Sequence, residues 1–269
     1  MLIIGERINT SRKVKGEPVI ENAVRARDAR FFIDLAEKQC EAGATYIDVN
    51  AGTLMEGESD AMEWLVTTIQ GALDVPLAID SPNPVAIDRA LKVHKGQAMI
   101  NSITAEKDRY NNVLPLAKQY ETKLIALAMG DDGIPPDAQG RIAVGRELIN
   151  NLTAAGIKLD NIYADPLVFP IANGGEFGVA VMDTIRTIKA EFPGIHASAG
   201  VSNVSHGLPQ RKFLNQAFTV MCMTAGLDAA IIDPMDKQLM ALIYSTEALL
   251  GHDDFCMTYL EASRAGKFE

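Results

Sequence analysis

The residues able to do chemistry in this chain share one placement. Glu6 and Asn9, Asp48 and Asn50, Asp80, Asn101, Asp165, Ser202 and Asn203, and Asp233 each stand at the end of a short apolar run. Asp and Asn are poor strand residues, so their recurrence there asks for a reason. One reason is local: Asp, Asn and Ser cap helices and open turns. For any one of them alone, that reading is the better one. Asp233, followed by Pro234, is the clearest candidate for a pure cap, and Asp48 reads as a structural bridge. For the whole set a shared site is the better reading. Carboxylates only accept hydrogen bonds, whereas amides donate and accept. That mixture suits a flat heterocycle with N–H, amino and carbonyl groups along one edge. Metal chemistry has weaker support, because the four histidines show no ligand spacing and the three cysteines (Cys40, Cys222, Cys256) form no C-x-x-C pair. A carboxylate-bound Mg²⁺ stays open at this point. Nucleophilic catalysis lacks its motifs, there being no G-x-S-x-G.

The elements that must position these residues alternate. Strands are read at 2–4, 46–50, 77–79, 98–100, 124–129, 162–164, 196–199 and 229–232. Helical periodicity follows each, over 25–43, 61–73, 85–93, 109–120, 141–155, 181–192, 212–225 and 237–250. Short, continuously apolar strands suit parallel strands buried on both faces. Eight strand–helix units in 269 residues predict one domain, residues 1–269, folded as an α/β TIM (β/α)8 barrel. An open doubly wound sheet is the rival, but the G-x-G-x-x-G turn expected after its first strand is absent. In a barrel the strand C-termini converge, which makes the polar tips one site. The tail from Gly251 to Glu269 is weakly patterned.

Composition narrows the partners. Formal net charge is −10, which argues against nucleic acid and anionic membrane surfaces. No apolar run is long enough to span a bilayer. The opening M-L-I-I-G-E-R lacks the order of a secretory signal, so a cytoplasmic protein with buried or partly buried reduced thiols is expected.

At the strand tips, G-E-R-I-N (Gly5–Asn9), I-D-S (Ile79–Ser81), M-I-N-S (Met99–Ser102), D-P (Asp165, Pro166) and G-V-S-N-V-S (Gly200–Ser205) stand in order along nearly the whole chain. With these the sequence resembles the pterin-binding methyltransferases, above all the methyltetrahydrofolate:corrinoid protein methyltransferases. The folate domain of cobalamin-dependent methionine synthase is a more distant relative.

The resemblance implies roles for these positions. Asp80, Asn101 and Asp165 match residues that hydrogen-bond the pterin ring. Asn203 matches a mobile Asn that reaches the N5 region. Gly200 and Ser202 would shape that wall, and Glu6 is a first-strand contributor. His206 and Arg211 lie on the aminobenzoate–glutamate side. From the residues alone, His206 could equally face solvent, and Arg211 could open the next helix with a salt bridge. The implied substrates are tetrahydrofolate or methyltetrahydrofolate and a corrinoid, with no metal held by the chain itself. A neutral tertiary amine is a poor leaving group, so methyl loss from N5 needs positive charge there, and a preorganised hydrogen-bond network at N5 would stabilise that transition state. In the reverse direction N5 of tetrahydrofolate attacks a methylated corrinoid and the same groups serve. The chain has no D-x-H-x-x-G cobalamin signature, so the corrinoid should arrive on a partner protein. A homodimer is also implied.

The loops 10–24 and 167–178 do not match. An acetogenic carbon-fixation enzyme and the tetrahydrofolate-methylating component of an O-demethylase system both stay open, and the unmatched loops favour the second. Dihydropteroate synthase is an alternative on the same fold. It would carry a Lys in an S-R-K context near the seventh strand, where this chain reads S-N-V-S with no Lys before Lys212. A folate-storage module and a metal-dependent barrel aldolase or hydrolase are further alternatives.

Overall fold

A computed structural model describes residues 1–268; Glu269, the last residue of the expected domain, lies outside the described residues. Eight strands form the sheet: β1 (Leu2–Asn9), β2 (Tyr46–Asn50), β3 (Leu77–Asp80), β4 (Met99–Thr104), β5 (Lys123–Leu127), β6 (Ile162–Asp165), β7 (His196–Gly200) and β8 (Ala229–Ile232). Each pairs in parallel with the next, and β1 closes on β8 through the register Leu2↔Ala229 to Gly5↔Ile232. Closure removes the open-sheet alternative and confirms the TIM barrel. The helices are α1 (Val19–Arg25), α2 (Ala29–Glu41), α3 (Glu58–Ala72), α4 (Pro84–Val93), α5 (Lys107–Gln119), α6 (Ala138–Ala154), α7 (Phe177–Glu191), α8 (Arg211–Thr224), α9 (Lys237–Leu249) and α10 (Met257–Arg264).

Alternation along a strand sends successive side chains to opposite faces. One set joins the helices in the large outer core, with Phe32, Met62, Leu65 and Ile69 fully buried. The other set fills the barrel interior: Ile4, Tyr46, Ala78, Met99, Ile125, Tyr163 and Ala229 form a separate apolar layer, one residue from each of seven strands. Two residues further along each strand lies the next layer toward the C-terminal mouth. There β1 to β4 and β6 contribute Glu6, Asp48, Asp80, Asn101 and Asp165, while β5 and β8 contribute Leu127 and Ile231. The polar tips therefore share one ring, interrupted by an apolar wall at two positions.

Several boundaries differ from expectation. The helix expected over 25–43 begins only at Ala29, with the Asp28 side chain accepting from Phe31 N–H, and a separate α1 occupies Val19–Arg25 before it; Arg27, at a left-handed φ of 52°, divides the two. The Asp28 cap was hidden inside an otherwise helical pattern. Strand β1 runs on through G-E-R-I-N despite its polarity, because its end lines the mouth rather than a core. Helix α7 starts at Phe177, four residues before the apolar periodicity begins, and the tail folds as α10. The cysteines are free; Cys222 is buried and Cys40 half-buried as expected, whereas Cys256 is exposed, against the expected full or partial burial. No helix of the described residues is long and apolar enough to cross a membrane.

Candidate functional site

Asp80 and Asn101 are register partners on β3 and β4. Asn101 Nδ2 donates to Asp48 Oδ1 at 3.0 Å, and the Asn50 side chain hydrogen-bonds Asp80. Two amides thus stand between two carboxylates. Burial pushes the Asp80 carboxyl up to about 6, opposed by Asn50 and by the Arg109 guanidinium. Burial, reinforced by neighbouring Asp80, holds Asp48 well above the usual carboxylate range. The bridge expected of Asp48 is present.

Asp165 stands on β6 and is 5% exposed. Burial pushes it up to about 7, against the Leu167 N–H, which donates to Oδ1 at 2.8 Å, and the charge of Arg141. Asp80 and Asp165 thus sit near neutrality, able to gain or lose a proton as a ligand demands.

The remaining predicted residues gather at the β1–β7–β8 edge. Glu6, Ser202, His206 and Arg211 line one groove of about 580 Å³, together with Arg12, Lys13, Lys212 and Asp233. Ser202 Oγ donates to Glu6 Oε2 at 3.3 Å. Burial raises the Glu6 carboxyl, and Arg12, 3.7 Å away, counteracts this. Arg211 donates from Nε to Ser205 Oγ (3.0 Å) and from Nη2 to the Ser202 carbonyl (2.8 Å), so it pins the turn Val201–Ser205 instead of opening α8 with a salt bridge. His206 is exposed, and burial and Arg211 lower its pKa. Gly200 leaves room for Asn203, whose Nδ2 would lie 3.3 Å from a Cβ added there. Asn203 itself is exposed and makes no side-chain hydrogen bond among the described residues. The structure therefore brings Asp80, Asn101 and Asp165 into one ring and Glu6, Ser202, His206 and Arg211 onto one groove, with Asn203 uncommitted on the turn beside them.

Sequence reasoning missed three groups. Asp233 accepts from Met235 N–H but also pairs with Arg7 (3.1 Å) and Arg12 (3.3 Å), and the cap of α9 is Asp236 instead. Arg109, in the first turn of α5, donates to the carbonyls of Ser81, Pro82 and Ser102 at 2.6–2.9 Å, tying together the ends of β3 and β4. Arg141 is fully buried at the start of α6. An arginine at a helix start carries no mark of such a role, because a solvated one looks the same in sequence. Among the described residues no group of three or more His, Cys, Asp or Glu side chains is arranged to hold a metal ion.

Residues 7–233 match the family of pterin binding enzymes. The chain belongs to that family. This pterin-binding enzyme is 34% identical over 269 residues to the methylcorrinoid:tetrahydrofolate methyltransferase of Eubacterium limosum, an alignment covering 99% of this chain and 97% of that one. It is 29% identical over 245 residues to methionine synthase of Mycobacterium tuberculosis, spanning 86% of this chain but 20% of that much longer protein. Among solved structures, the pterin-binding fold is shared with Yersinia pestis dihydropteroate synthase in a sulfonamide complex (TM-score 0.69, 16% identity, 92% of this chain and 94% of that one). It is shared likewise with the Coxiella burnetii dihydropteroate synthase in complex with pteroic acid (TM-score 0.67, 16% identity, 92% and 94%). Those likenesses speak to fold alone.

Proposed function

We propose that this pterin-binding enzyme, as a single domain over residues 1–269, transfers a methyl group between a methylated corrinoid and N5 of tetrahydrofolate. One observation carries the reading: Asp80, Asn101 and Asp165 lie on the inner face of a closed barrel, one layer above its apolar filling. Carboxyls and an amide so placed match the alternating donors and acceptors of a pterin edge. The 34% identical relative, which acts on methylcorrinoid and tetrahydrofolate, supports the same substrates here.

In this reading tetrahydrofolate is held with its pterin in the ring and its aminobenzoate–glutamate side toward His206 and Arg211. N5 attacks the methyl carbon, the N–C bond forms, and the electron pair of the broken cobalt–carbon bond stays with the corrinoid substrate. Positive charge develops at N5 and is discharged when the N5 proton passes to solvent water. Asn203 swings from its exposed position to accept from N5–H, acting with Gly200 and Ser202 behind it. The corrinoid is carried by a partner protein that docks at the open mouth, and the donor is an O-demethylase system. The enzyme works as a cytoplasmic homodimer, to which the exposed Leu249, Phe255 and Met257 around α10 lend support. The dihydropteroate synthase alternative would need a Lys near the seventh strand end, where this chain reads S-N-V-S; the next Lys along the chain, Lys212, lies 3.7 Å from Asp236.

Isothermal titration with tetrahydrofolate and methyltetrahydrofolate, in EDTA, tests the substrate. Micromolar or tighter binding of either is expected, and binding of neither overturns the reading. Transfer of methyl from a methylated corrinoid protein separates an enzyme from a folate-storage module.

A further inference from the structure

The loop after β6 is built around a buried arginine with no carboxylate partner. Arg141 is 0% exposed. Its Nε donates to the Pro135 carbonyl (3.0 Å) and its Nη1 to the Leu167 carbonyl (3.0 Å), so one side chain joins the loops leaving β5 and β6. The guanidinium lies over the Phe169 ring at 4.9 Å and near Phe177 at 6.0 Å. Its Nη2 is buried without a hydrogen-bond partner among the described residues. Helix α6 is brought close enough for this reach by Gly140, where a Cβ would meet Pro135 Cβ at 2.6 Å.

Burying an arginine without an ion pair costs stability, and replacing such groups by apolar ones is often neutral or better. A reason for its presence lies next along the chain. Leu167 holds a left-handed φ of 60°, which a leucine adopts reluctantly. Arg141 grips the carbonyl of that residue, and the N–H of the same residue donates to Asp165 Oδ1 at 2.8 Å. The Leu167 N–H bond engages Oδ1 of the Asp165 carboxyl and leaves Oδ2 to a further donor. Arg141 and Asp165 also line one small cavity of about 10 Å³. We propose that Arg141 is a positioning residue for the pterin: it locks Leu167 so that Asp165 turns its second carboxyl oxygen to the ligand. This rests on the pterin reading above and deepens it.

The groups facing Asp165 are few. Arg141 comes from α6, and the Cys222 thiol from α8 is pushed up to about 12 by burial and is neutral. Asp137, which caps α6, stands beside Arg141. Arg141 is therefore the one cation acting on Asp165 among the described residues. Pterin donors prefer an ionised acceptor, so tetrahydrofolate affinity rises as pH climbs through about 7 and then levels.

The test is tetrahydrofolate affinity from pH 5 to 9 in the full chain and in Arg141→Gln and Arg141→Lys. The glutamine variant is neutral; its midpoint moves up by about one unit, and its affinity falls about fivefold at pH 7 and about tenfold well below it. The lysine variant restores the charge but cannot bridge both carbonyls. Its midpoint returns toward that of the parent while affinity stays reduced at every pH. A folded glutamine variant with the parent midpoint and affinity overturns the proposal. If Arg141→Gln does not fold, tetrahydrofolate affinity in Arg141→Lys decides, and the parent's affinity across the pH range then overturns the proposal. The ligand-free titration of the Asp165 carboxyl, read by carbon-13 NMR in Arg141→Gln, needs no pterin, so a raised midpoint there with no tetrahydrofolate binding in the parent marks failure of the function reading alone.

Discussion

The two ends of this barrel both collect titratable side chains, and they treat them in opposite ways. At the N-terminal floor, Asp228 accepts from Lys189 Nζ (2.7 Å) and the Ala197 N–H (2.7 Å), and its Oδ2 lies 3.1 Å from His196 Nδ1. His196 Nε2 lies 3.1 Å from Asp160 and its ring stacks on Tyr163, whose hydroxyl accepts from Lys123. Carboxylates there have cations beside them. Burial would raise Asp228, but the His196 and Lys189 hydrogen bonds win and hold it below the usual range; His196 is raised, first by Asp228. At the mouth the balance reverses. Asp48, Asp80 and Asp165 are raised because burial outweighs their partners. A polar cluster that satisfies itself holds a fold together, whereas one left short of donors is set to take them from a ligand.

That contrast can be broken from either side. The largest effect is expected of Asn203→Ala at the mouth: a methyl-transfer rate about 10²–10³-fold lower, the range for losing one transition-state hydrogen bond, with tetrahydrofolate affinity barely changed. Equal losses in rate and affinity, measured by single-turnover kinetics and titration, would remove its special role. Asp165→Asn should weaken pterin binding by roughly 1–3 kcal/mol by calorimetry, and unchanged affinity would take it out of the site.

At the floor, Asp228→Ala should cost about 1–2 kcal/mol of stability after allowance for partial exposure, leaving pterin affinity intact. Urea unfolding checks the first part, and a loss of affinity would erase the distinction between the two ends. The last contrast is in pH. Floor stability is fully present above the ordinary Asp value of 3.8 and below the ordinary His value of 6.5, and is lost outward on both sides. The raised mouth carboxyls contribute fully below 3.8 and lose that contribution as pH rises through about 6 and about 7. The ligand-free melting temperature should therefore fall between pH 4 and 7, and saturating tetrahydrofolate should flatten the fall.

Much of the mouth was legible because a barrel turns strand ends into neighbours. Asp80, Asn101 and Asp165 needed only their strand positions to be placed on one ring. The floor was not legible: His196, Asp228 and Lys189 come from the start of a strand, a turn and the end of a helix, and nothing in their spacing announces a contact. Asp233 misled because the turn at Asp233-Pro234 is real, while its second carboxyl oxygen pairs with Arg7 and Arg12. Asn203 was placed on the right turn, but the sequence carries no record of which way an exposed amide faces.

The arginine at the start of α5 has a consequence in motion. Arg109 holds two carbonyls of the loop after β3 and one within β4, so the ends of β3 and β4 cannot open separately. In native-state hydrogen exchange the amides flanking Ser81 and Ser102 should open as one cooperative unit. Asp80 and Asn101 then meet an incoming ring as a single jaw, and slackening either loop in an engineered variant would slacken both.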